Sequence, residues 1–407
     1  MHTRADLTQG WALSRGLAKQ VADACERRSA EAWDLLAELV SLDSSPDDVA
    51  GLDRVVAPMR SALEALGLDA ELERTEASLP VLHASNGSSE SSGKSTHVLM
   101  VGHLDTVFPK GTAADWPFRR DGERATGPGI ADAKGGAAVI WLALAAALEA
   151  TDGLPGLDLR ILINTDEEAG SVESRSIIER QAPTTDLALI YEPGRPDGSI
   201  VRQRRGARRY RIKVKGKSAH TGVEPWKGVN AIEEAAHKVI GLQALNDPDN
   251  FLSVTVAVMH GGTRVNVVPD AATLDVDTRL PDTATAKRVH AEVEKIISQV
   301  RLEGASSTYE IISDRPPMTP QPSVPAIIGQ FRAAAEALGF PLEDTATGGG
   351  SDGCFLSPLG VPTIDALGPV GGGYHTTDEF LLASTLVERA AISALVLAAL
   401  SAAVSHD

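Results

Sequence analysis

Short, nearly continuous apolar runs that end in polar clusters are the feature that most limits the possible folds of this chain. Residues 97–101 precede Gly-His-Leu-Asp, residues 159–163 precede Asn-Thr-Asp-Glu-Glu, and residues 187–190 precede Tyr-Glu-Pro-Gly. Residues 362–366 form a possible fourth run. Apolar runs of this length are typical of strands that helices bury on both faces.

Segments with helical spacing of apolar residues lie between these runs, notably residues 134–150 and 174–182. Residues 30–40 and 53–66 have the same spacing near the start of the chain. Alternation of strands and helices predicts an α/β fold, with a mixed, mostly parallel sheet flanked by helices. Ligands of such sheets bind beyond the carboxyl ends of the strands, where the polar clusters lie here.

The pattern changes between residues 206 and 314. Alternating and β-rich segments there combine with two helical segments in the order β-α-β-β-α-β, which indicates a separate α+β sandwich. Four prolines between residues 316 and 322 then mark a stiff return linker. We therefore predict a discontinuous catalytic metal-binding domain, residues 1–205 and 315–407, interrupted by an inserted lid and dimerisation domain, residues 206–314.

Two less regular segments lie in the first half of the chain. Residues 1–28 are polar and weakly periodic, which predicts a ragged start with one short helix. Residues 85–95 are rich in serine and glycine and lack an apolar period, which predicts a surface loop.

Composition excludes several classes of function. The 407 residues contain 38 Lys and Arg against 55 Asp and Glu, a net charge of −17 that repels phosphate backbones and argues against nucleic-acid binding. Two cysteines cannot build a disulfide framework or a cysteine-rich zinc module. The N-terminal segment lacks the apolar core of a signal peptide, and the most apolar stretch, residues 137–148, is too short to span a bilayer. We expect a cytoplasmic protein without a membrane partner.

The polar clusters contain several side chains that can bind metal ions. A single His or Asp after a strand is usually a cap or a surface group, but here five separate segments each present an acid or a histidine at a turn. Two imidazoles with several carboxylates suit zinc best, with cobalt or manganese possible. The candidate residues are His103, Asp105, Asp132, Glu167, Glu168, Glu192 and His375.

The order of these motifs resembles the M20 family of two-metal exopeptidases and amidohydrolases, of the glutamate carboxypeptidase type. The resemblance runs from about residue 31 to the C-terminus. GHLDTV at 102–107 resembles the family's H-x-D motif, and GPGIADAKGG at 127–136 its G-x-G-x-x-D-x-K-G-G motif. TDEEAGS at 165–171 resembles the double-glutamate motif, and YEPG at 191–194 and GYHT at 373–376 complete the set.

The resemblance implies a role for each candidate. Asp132 would bridge two divalent metals; His103 and Glu192 would complete one site, and Glu168 and His375 the other. Adjacent residues of an extended chain point in opposite directions, so one glutamate can bind metal while the other stays available. The resemblance makes Glu167 the general base and implies a cis peptide bond between Asp132 and Ala133. Asp105 would hold the imidazole of His103 in the tautomer that binds metal.

Candidate substrate-binding residues follow from the same resemblance. His220, in GKSAH, would stabilise the developing oxyanion, and Asn266, in GGTRVNVVP, would donate to a substrate carboxylate. Arg279 would clamp a free α-carboxylate with both edges of its guanidinium group. Gly349 lies in a GGGSD loop that resembles the family's loop near the substrate; a flexible turn is the alternative interpretation.

Residues 201–211 form a basic run with one aromatic residue. A solvated strand and hinge is one interpretation, and local attraction of anionic substrates is a second. Nucleic-acid binding is a distant third because of the net negative charge.

The predicted function is a metal-dependent hydrolysis that releases a C-terminal, glutamate-type amino acid from an N-acyl or peptide substrate, with a hydroxide bridged between two metals. The substrate would be a small molecule or a short peptide with a free carboxylate. Alternatives are another family activity, namely dipeptidase, aminoacylase or desuccinylase, and a non-catalytic metal-binding relative. We further expect a homodimer formed through residues 206–314, since edge strands in that domain can pair with a twofold mate.

Overall fold

The computed structural model describes residues 4–8, 11, 13–87 and 95–404. In these ranges the α-helices are α1 (Arg15–Val40), α2 (Val49–Ala65), α3 (Thr112–Asp115), α4 (Lys134–Thr151), α5 (Arg175–Glu179), α6 (Ala231–Gln243), α7 (Thr283–Ser298), α8 (Val324–Leu338), α9 (Gly353–Leu356) and α10 (Ala383–Val404). The strands are β1 (Asp69–Arg74), β2 (Pro80–Ser85), β3 (Thr96–His103), β4 (Arg119–Asp121), β5 (Arg124–Thr126), β6 (Leu157–Asn164), β7 (Leu187–Ile190), β8 (Ile200–Arg204), β9 (Gly206–Lys215), β10 (Ser253–Gly261), β11 (Ala271–Leu280), β12 (Ser306–Arg315), β13 (Asp344–Thr347), β14 (Thr363–Ile364), β15 (Gly371–Gly372) and β16 (Phe380–Leu382).

The chain divides into two compact units. The first contains Met1–Arg202, Pro320–Ala346 and Ser351–Asp407, and the second contains Gln203–Thr319 and Thr347–Gly350. The predicted boundaries at 205/206 and 314/315 lie close to these junctions. The GGGSD loop differs, because its glycines group with the second unit whereas the prediction placed them in the catalytic domain.

The main sheet of the first unit has the strand order β1-β2-β6-β3-β7-β14. β6, β3, β7 and β14 are parallel, while β1 and β2 form an antiparallel extension. The predicted architecture, a mixed and mostly parallel sheet flanked by helices, is confirmed. A smaller sheet, β15-β16-β5-β4, brings the C-terminal segment beside residues 119–126.

Two strongly apolar helices, α4 and α10, lie in the core of the first unit, where they pack against each other and against α1. The helical segment predicted at residues 134–150 is confirmed as α4, which ends one residue later. By length and composition both helices could cross a bilayer, yet most of their residues are buried inside the fold. Burial on almost every side accounts for their composition, since a helix in a core needs no polar face.

The N-terminal segment differs from the prediction of a ragged start. α1 is one helix of 26 residues, capped by the side chain of Ser14, which accepts a hydrogen bond from the amide of Leu17. Its buried residues include Val21, Ala24 and Cys25, at helical spacing. Charged residues between them concealed this apolar stripe in the sequence. The predicted loop at 85–95 lies mostly outside the described residues.

The second unit has an antiparallel sheet of order β10-β11-β9-β12. The chain order β9-α6-β10-β11-α7-β12 is the predicted β-α-β-β-α-β order. Both helices contribute to one apolar core with the sheet, through residues such as Ala235 of α6, Val293 of α7 and Ile212 of β9. β10 and β12 are the outer strands of this sheet.

Candidate active site

Three neighbouring parallel strands of the first unit deliver the principal candidate side chains. β6, β3 and β7 are adjacent in the sheet, and their registers pair His103 with Asn164 and Val101 with Ile190. The strands therefore end at nearly the same level. His103 ends β3, the two glutamates 167 and 168 follow β6, and Glu192 follows β7. This is the edge at which parallel sheets bind ligands.

His103 is buried, and each of its ring nitrogens faces a carboxylate. Nδ1 lies 3.3 Å from Oδ1 of Asp105, while Nε2 lies 3.4 Å from Oδ1 of Asp132 and 3.7 Å from Oε1 of Glu192. Nε2 is buried and forms no hydrogen bond with the described residues. A buried imidazole nitrogen that faces two carboxylates without a hydrogen bond is suited to bind a cation.

Asp105 is fully buried and connects two of the strand ends. Besides facing the imidazole of His103, its carboxylate accepts hydrogen bonds from the amides of Glu167 (3.2 Å) and Glu168 (2.9 Å). Asp105 therefore orients both the histidine and the double-glutamate turn, which is more than the single role predicted from the sequence.

Asp132 lies between the two candidate histidines. Its Oδ1 is 3.4 Å from Nε2 of His103, and its Oδ2 is 3.5 Å from Nε2 of His375. One carboxylate thus faces two imidazoles with different oxygens, as a bridging ligand must. The peptide bond between Asp132 and Ala133 is cis, so that prediction is confirmed.

Glycine allows the start of α4 to approach this centre. A Cβ atom at Gly136 would lie 2.0 Å from the carbonyl oxygen of Tyr191, the residue before Glu192. Only glycine avoids that overlap. The double glycine after Lys134 therefore lets α4 begin directly beside the end of β7.

His375 and Glu168 complete the second half of the arrangement. Nε2 of His375 lies 3.1 Å from Oε2 of Glu168, and about half of the histidine side chain is exposed. His375 has a left-handed backbone conformation, with φ of 63°, within the turn that follows β15. Its exposure leaves an open side at this half of the centre.

The candidate donors form two sets, each with its donor atoms within 4.8 Å of one another. Asp132, Glu168 and His375 form one set, and His103, Glu167 and Glu192 form the other. The first agrees with one predicted metal site. The second places Glu167 beside the other predicted site, where it could act either as base or as ligand; its role stays a prediction.

The spacing of these donors suits small divalent cations. Two ligand atoms about 2.0–2.2 Å from one ion at a tetrahedral angle lie roughly 3.3–3.6 Å apart. The four imidazole–carboxylate separations around Asp132 range from 3.1 to 3.7 Å. Imidazole nitrogen and carboxylate oxygen are ligands that zinc, cobalt and manganese accept. The residues present therefore fit a two-metal centre.

The negative charges of the side chains also favour the binding of cations at this centre. Burial opposes charge on His103, but Asp105 and Asp132 outweigh burial and hold its pKa well above the usual range. Hydrogen bonds with Asp132 and Glu168 raise the pKa of His375 to about 10. Burial would raise the pKa of Asp132, yet the two histidines lower it. So many converging carboxylates favour positive charge at the imidazoles, whether from protons or from metal ions.

Glu379 and Lys134 are two titratable residues near the centre that were not among the predicted site residues. Both side chains are almost completely buried. Burial and the charge of Asp132 raise the pKa of Glu379 to about 7 against three backbone hydrogen bonds. Burial lowers the pKa of Lys134 to about 7, and its Nζ donates to the carbonyl of Leu42 at 2.8 Å. The only signal for Glu379 in the sequence is an acid four residues after His375.

A buried polar network anchors the double-glutamate turn from below. Asp352 accepts hydrogen bonds from Asn164 (2.7 Å) and from the hydroxyl of Ser171 (2.5 Å), the residues on either side of the turn. Asp166 accepts from the amides of Glu173 and Ser174. The acid of the GGGSD motif therefore supports the turn that carries the two glutamates.

His220 and Asn266 lie on paired loops of the second unit. His220 forms a backbone bridge with Val267, and the amide of Thr221 donates to the carbonyl of Asn266. Nδ1 of His220 accepts a hydrogen bond from the amide of Gly222 at 3.0 Å. The proton of a neutral imidazole then resides on Nε2, which is the arrangement needed to donate to an oxyanion.

Arg279 is engaged rather than free. It lies near the end of β11, where its Nε is 2.8 Å from Asp277, and the same aspartate also pairs with Arg209 at 3.0 Å. This contact uses one edge of the guanidinium group. Among the described residues no partner occupies the other edge, which is where a substrate carboxylate could bind.

The basic run 201–211 is largely neutralised by neighbouring acids. Arg202 pairs with Asp344, Arg208 with Asp314 at 2.8 Å, and Arg211 with Asp275 at 2.8 Å. These ion pairs reduce the positive charge that the run offers, which argues against attraction of anions.

The glycines of the GGGSD loop are held by an arginine of the same run. Nη1 of Arg204 donates to the carbonyls of Gly349 and Gly350, both at 3.3 Å, and the amide of Arg205 donates to Thr347. These bonds explain why residues 347–350 group with the second unit.

The fold and the donor set together define an α/β protein with a candidate two-metal centre of carboxylates and imidazoles. Residues 99–399 match the profile of peptidase family M20/M25/M40, and the chain belongs to this family. The two donor sets described above are the candidate metal-binding groups of this chain.

Similar proteins differ in activity. The chain is 30% identical over 346 residues to carboxypeptidase G2 from Pseudomonas sp. (strain RS-16), covering 84% of this chain and 82% of that protein. It is 28% identical over 380 residues to succinyl-diaminopimelate desuccinylase from Xylella fastidiosa (strain M12), covering 88% and 95%. A dinuclear metal binding peptidase of the M20 family from Bacillus subtilis has a similar fold, with a TM-score of 0.66, 17% identity and coverage of 92% and 99%. The chain is a metallohydrolase of the M20 family.

Proposed function

We propose that this protein is a glutamate carboxypeptidase-type hydrolase that uses two zinc ions, with cobalt or manganese as possible substitutes, to cleave an amide bond beside a free carboxylate. The observation that carries the proposal is the position of Asp132, whose two oxygens face the imidazoles of His103 and His375 at 3.4 and 3.5 Å. The similarity to carboxypeptidase G2 supports the substrate class.

The residues of this chain divide the chemical work. Divalent cations at such a centre supply Lewis acidity and lower the pKa of water. Glu167 takes the proton from the attacking water and passes it to the leaving amine. Asp105 fixes the imidazole tautomer of His103 and accepts a hydrogen bond from the amide of Glu167. One carboxylate thus orients both the proposed general base, Glu167, and the proposed metal ligand, His103.

In this proposal, residues of the second unit recognise the carboxylate end of the substrate. The free edge of Arg279 binds the α-carboxylate, Asn266 donates to the same group, and Nε2 of His220 donates to the oxyanion. The GGGSD loop at Gly349 lines the substrate. Asp277 holds Arg279 in a fixed orientation, which favours recognition of a planar anion.

A desuccinylase is the second candidate. Its support is the match to succinyl-diaminopimelate desuccinylase, which covers 95% of that protein. Both candidate substrates carry carboxylates beside an amide, so the same centre would serve either. Both substrates carry an α-carboxylate on the amine side of the amide, and the succinyl substrate carries a second carboxylate on the acyl side.

A hydrolysis panel distinguishes these activities. We expect the zinc-loaded protein to cleave N-acyl-glutamates and dipeptides with a C-terminal acidic residue faster than N-succinyl-diamino acids and faster than α-amidated analogues. Arg279→Ala should raise KM, lower kcat and erase the preference for a free α-carboxylate, because the guanidinium group that binds the carboxylate is removed. Arg279→Lys should restore only part of this preference, since a point charge cannot bind both carboxylate oxygens in one plane.

Arg288, an exposed residue of α7 that forms no ion pair with the described residues, offers a matched control. Arg288→Ala should leave the panel unchanged. Equal cleavage of free and amidated substrates by the unmodified protein would contradict the carboxypeptidase proposal, and preferential cleavage of N-succinyl substrates would favour the desuccinylase.

We also propose that the chain forms a homodimer through its second unit. β10 and β12 are the outer strands of the sheet. The amides of Val254 and Val256 in the first half of β10 already donate to side chains of α6 and of the loop after it. The second half of β10 carries the exposed apolar residues Val258 and Met259. Pairing of an edge with its twofold mate would satisfy the open backbone groups. Light scattering at micromolar concentration should give about twice the mass of one chain, and Met259→Glu should reduce it. A monomeric wild-type protein would contradict this proposal.

A further inference from the structure

Glu379 connects two segments of the candidate metal centre. It is the residue before β16, four residues after His375, and is 1% exposed. Its carboxylate accepts hydrogen bonds from the amides of Gly129 (3.2 Å), Ala131 (2.9 Å) and Asp132 (3.0 Å). A carboxylate of the His375 segment thus holds the backbone of the residue that faces both histidines.

The turn that receives these bonds has little freedom to hold its amides in another way. Gly129 has a left-handed conformation, with φ of 70°, and a Cβ atom there would lie 2.4 Å from the methyl group of Thr106. The amide of Lys134 donates to the carbonyl of Gly129 at 2.9 Å and closes the turn onto α4. Three N–H groups of this closed turn donate to one anionic acceptor, the carboxylate of Glu379.

The other end of the connection is equally well anchored. The amide of Glu379 donates to the carbonyl of Thr376 at 3.1 Å, and that of Thr376 donates to Gly373. Directly afterwards β16 pairs with both β5 and β15. Glu379 therefore has a fixed position relative to His375, which lies in the same short segment.

Glu379 itself is not arranged as a metal ligand. Oε1 receives two of the amide bonds and Oε2 the third, so both oxygens are directed at the turn. It belongs to neither of the two donor sets in the described chain. Its contact with the centre runs through the backbone of Asp132.

We propose that Glu379 is a positioning residue that locks the Asp132 turn to the His375 segment, so that donors from two distant parts of the sequence meet at one pair of cations. The inference rests on the two-metal centre of the proposed function. Removal of the Glu379 carboxylate should therefore weaken the binding of a cation. It should neither unfold the protein nor remove a group that carries protons.

Titration of metal-free protein with Co²⁺ alone tests the inference. Glu379→Gln keeps the size of the side chain but removes the charge and turns an NH₂ group toward one of the amides. We expect cobalt affinity to fall about 10- to 100-fold, the usual effect of losing a partner that orients a ligand. At saturating cobalt the visible absorption spectrum should also change, because the geometry of Asp132 at the ion changes.

Asp378→Asn is the matched control. Asp378 is the exposed neighbour of Glu379, and its carboxylate makes no hydrogen bond with the described residues. Removing one negative charge at that position should leave both affinity and spectrum unchanged. A purely structural role of Glu379 would lower the melting temperature of the metal-free protein yet leave the cobalt spectrum of the folded protein as in the wild type.

Glu379→Asp covers the possibility that the glutamine variant does not fold. It keeps the charge but cannot reach all three amides, so it should fold and show an intermediate loss of affinity. Folded variants that bind cobalt like the wild type, with the same spectrum, would overturn the inference. The proposed function fails in a different way, namely when the wild type binds no cobalt or binds it without cleaving any member of the substrate panel.

Discussion

Glu167→Gln should lower kcat by about 10²- to 10⁴-fold, the usual contribution of a general base. The substitution keeps the shape of the side chain and removes its ability to take a proton. Metal content measured by atomic emission should stay at the wild-type level, since the proposed ligands are all retained. The backbone of the turn is also held independently, by Asp105 at the amides of residues 167 and 168.

The neighbouring substitution Glu168→Gln is the matched control. Glu168 lies 3.1 Å from His375 and is a proposed ligand, so this variant should lose metal as well as turnover. The two glutamates are adjacent in sequence and close to the same centre, so only the metal content separates their roles. Metal lost from the Glu167 variant and kept by the Glu168 variant would show that the two roles are exchanged.

Asp132→Asn should reduce the capacity of the protein from two divalent cations to one and remove most of its activity. An amide has a single carbonyl oxygen for metal binding, whereas the carboxylate faces His103 with Oδ1 and His375 with Oδ2. We expect the affinity of the second cation to fall by more than the roughly 10- to 100-fold that loss of an orienting partner costs. Isothermal titration with Zn²⁺ measures both the number of sites and their affinities.

Two controls make this result specific. Asp378→Asn removes the same charge from an exposed position of the same unit and should leave both sites intact. Thermal unfolding of the metal-free Asp132 variant should resemble that of the metal-free wild type, because the amides of the turn still donate to Glu379. Two cations bound with unchanged affinity would contradict a bridging role for Asp132.

The polar residues at the strand ends could be predicted because their positions are local properties of the chain. Apolar runs define β3, β6 and β7, and parallel strands place their carboxyl ends at one edge of a sheet. His103, Glu168 and Glu192 therefore required only the correct identification of strands. The family motifs then supplied Asp132 and His375, which lie on turns that no apolar period predicts.

The contacts of the charged residues could not be predicted in this way. Arg279 appears in the sequence as a free cation, but Asp277, two residues earlier on the same face of β11, occupies one edge of its guanidinium group. The sequence left attraction of anions by the basic run as a second interpretation, and acids of β11, β12 and β13 pair with arginines of that run. The ion pairs of the basic run join residues far apart in sequence, so they depend on which strands are neighbours and on the register between them.

The sequence by itself thus determines which residues form the candidate centre and at which strand ends they lie. Periodicity and short motifs depend only on a few neighbouring residues, so they can be read without the fold. Only the tertiary structure decides how these parts are held. Asp105 joins the ends of β3 and β6, and Glu379 joins the Asp132 turn to the segment of His375. A sequence does not distinguish a buried acid from a surface acid. In the folded chain the buried acid Glu379 accepts hydrogen bonds from backbone amides.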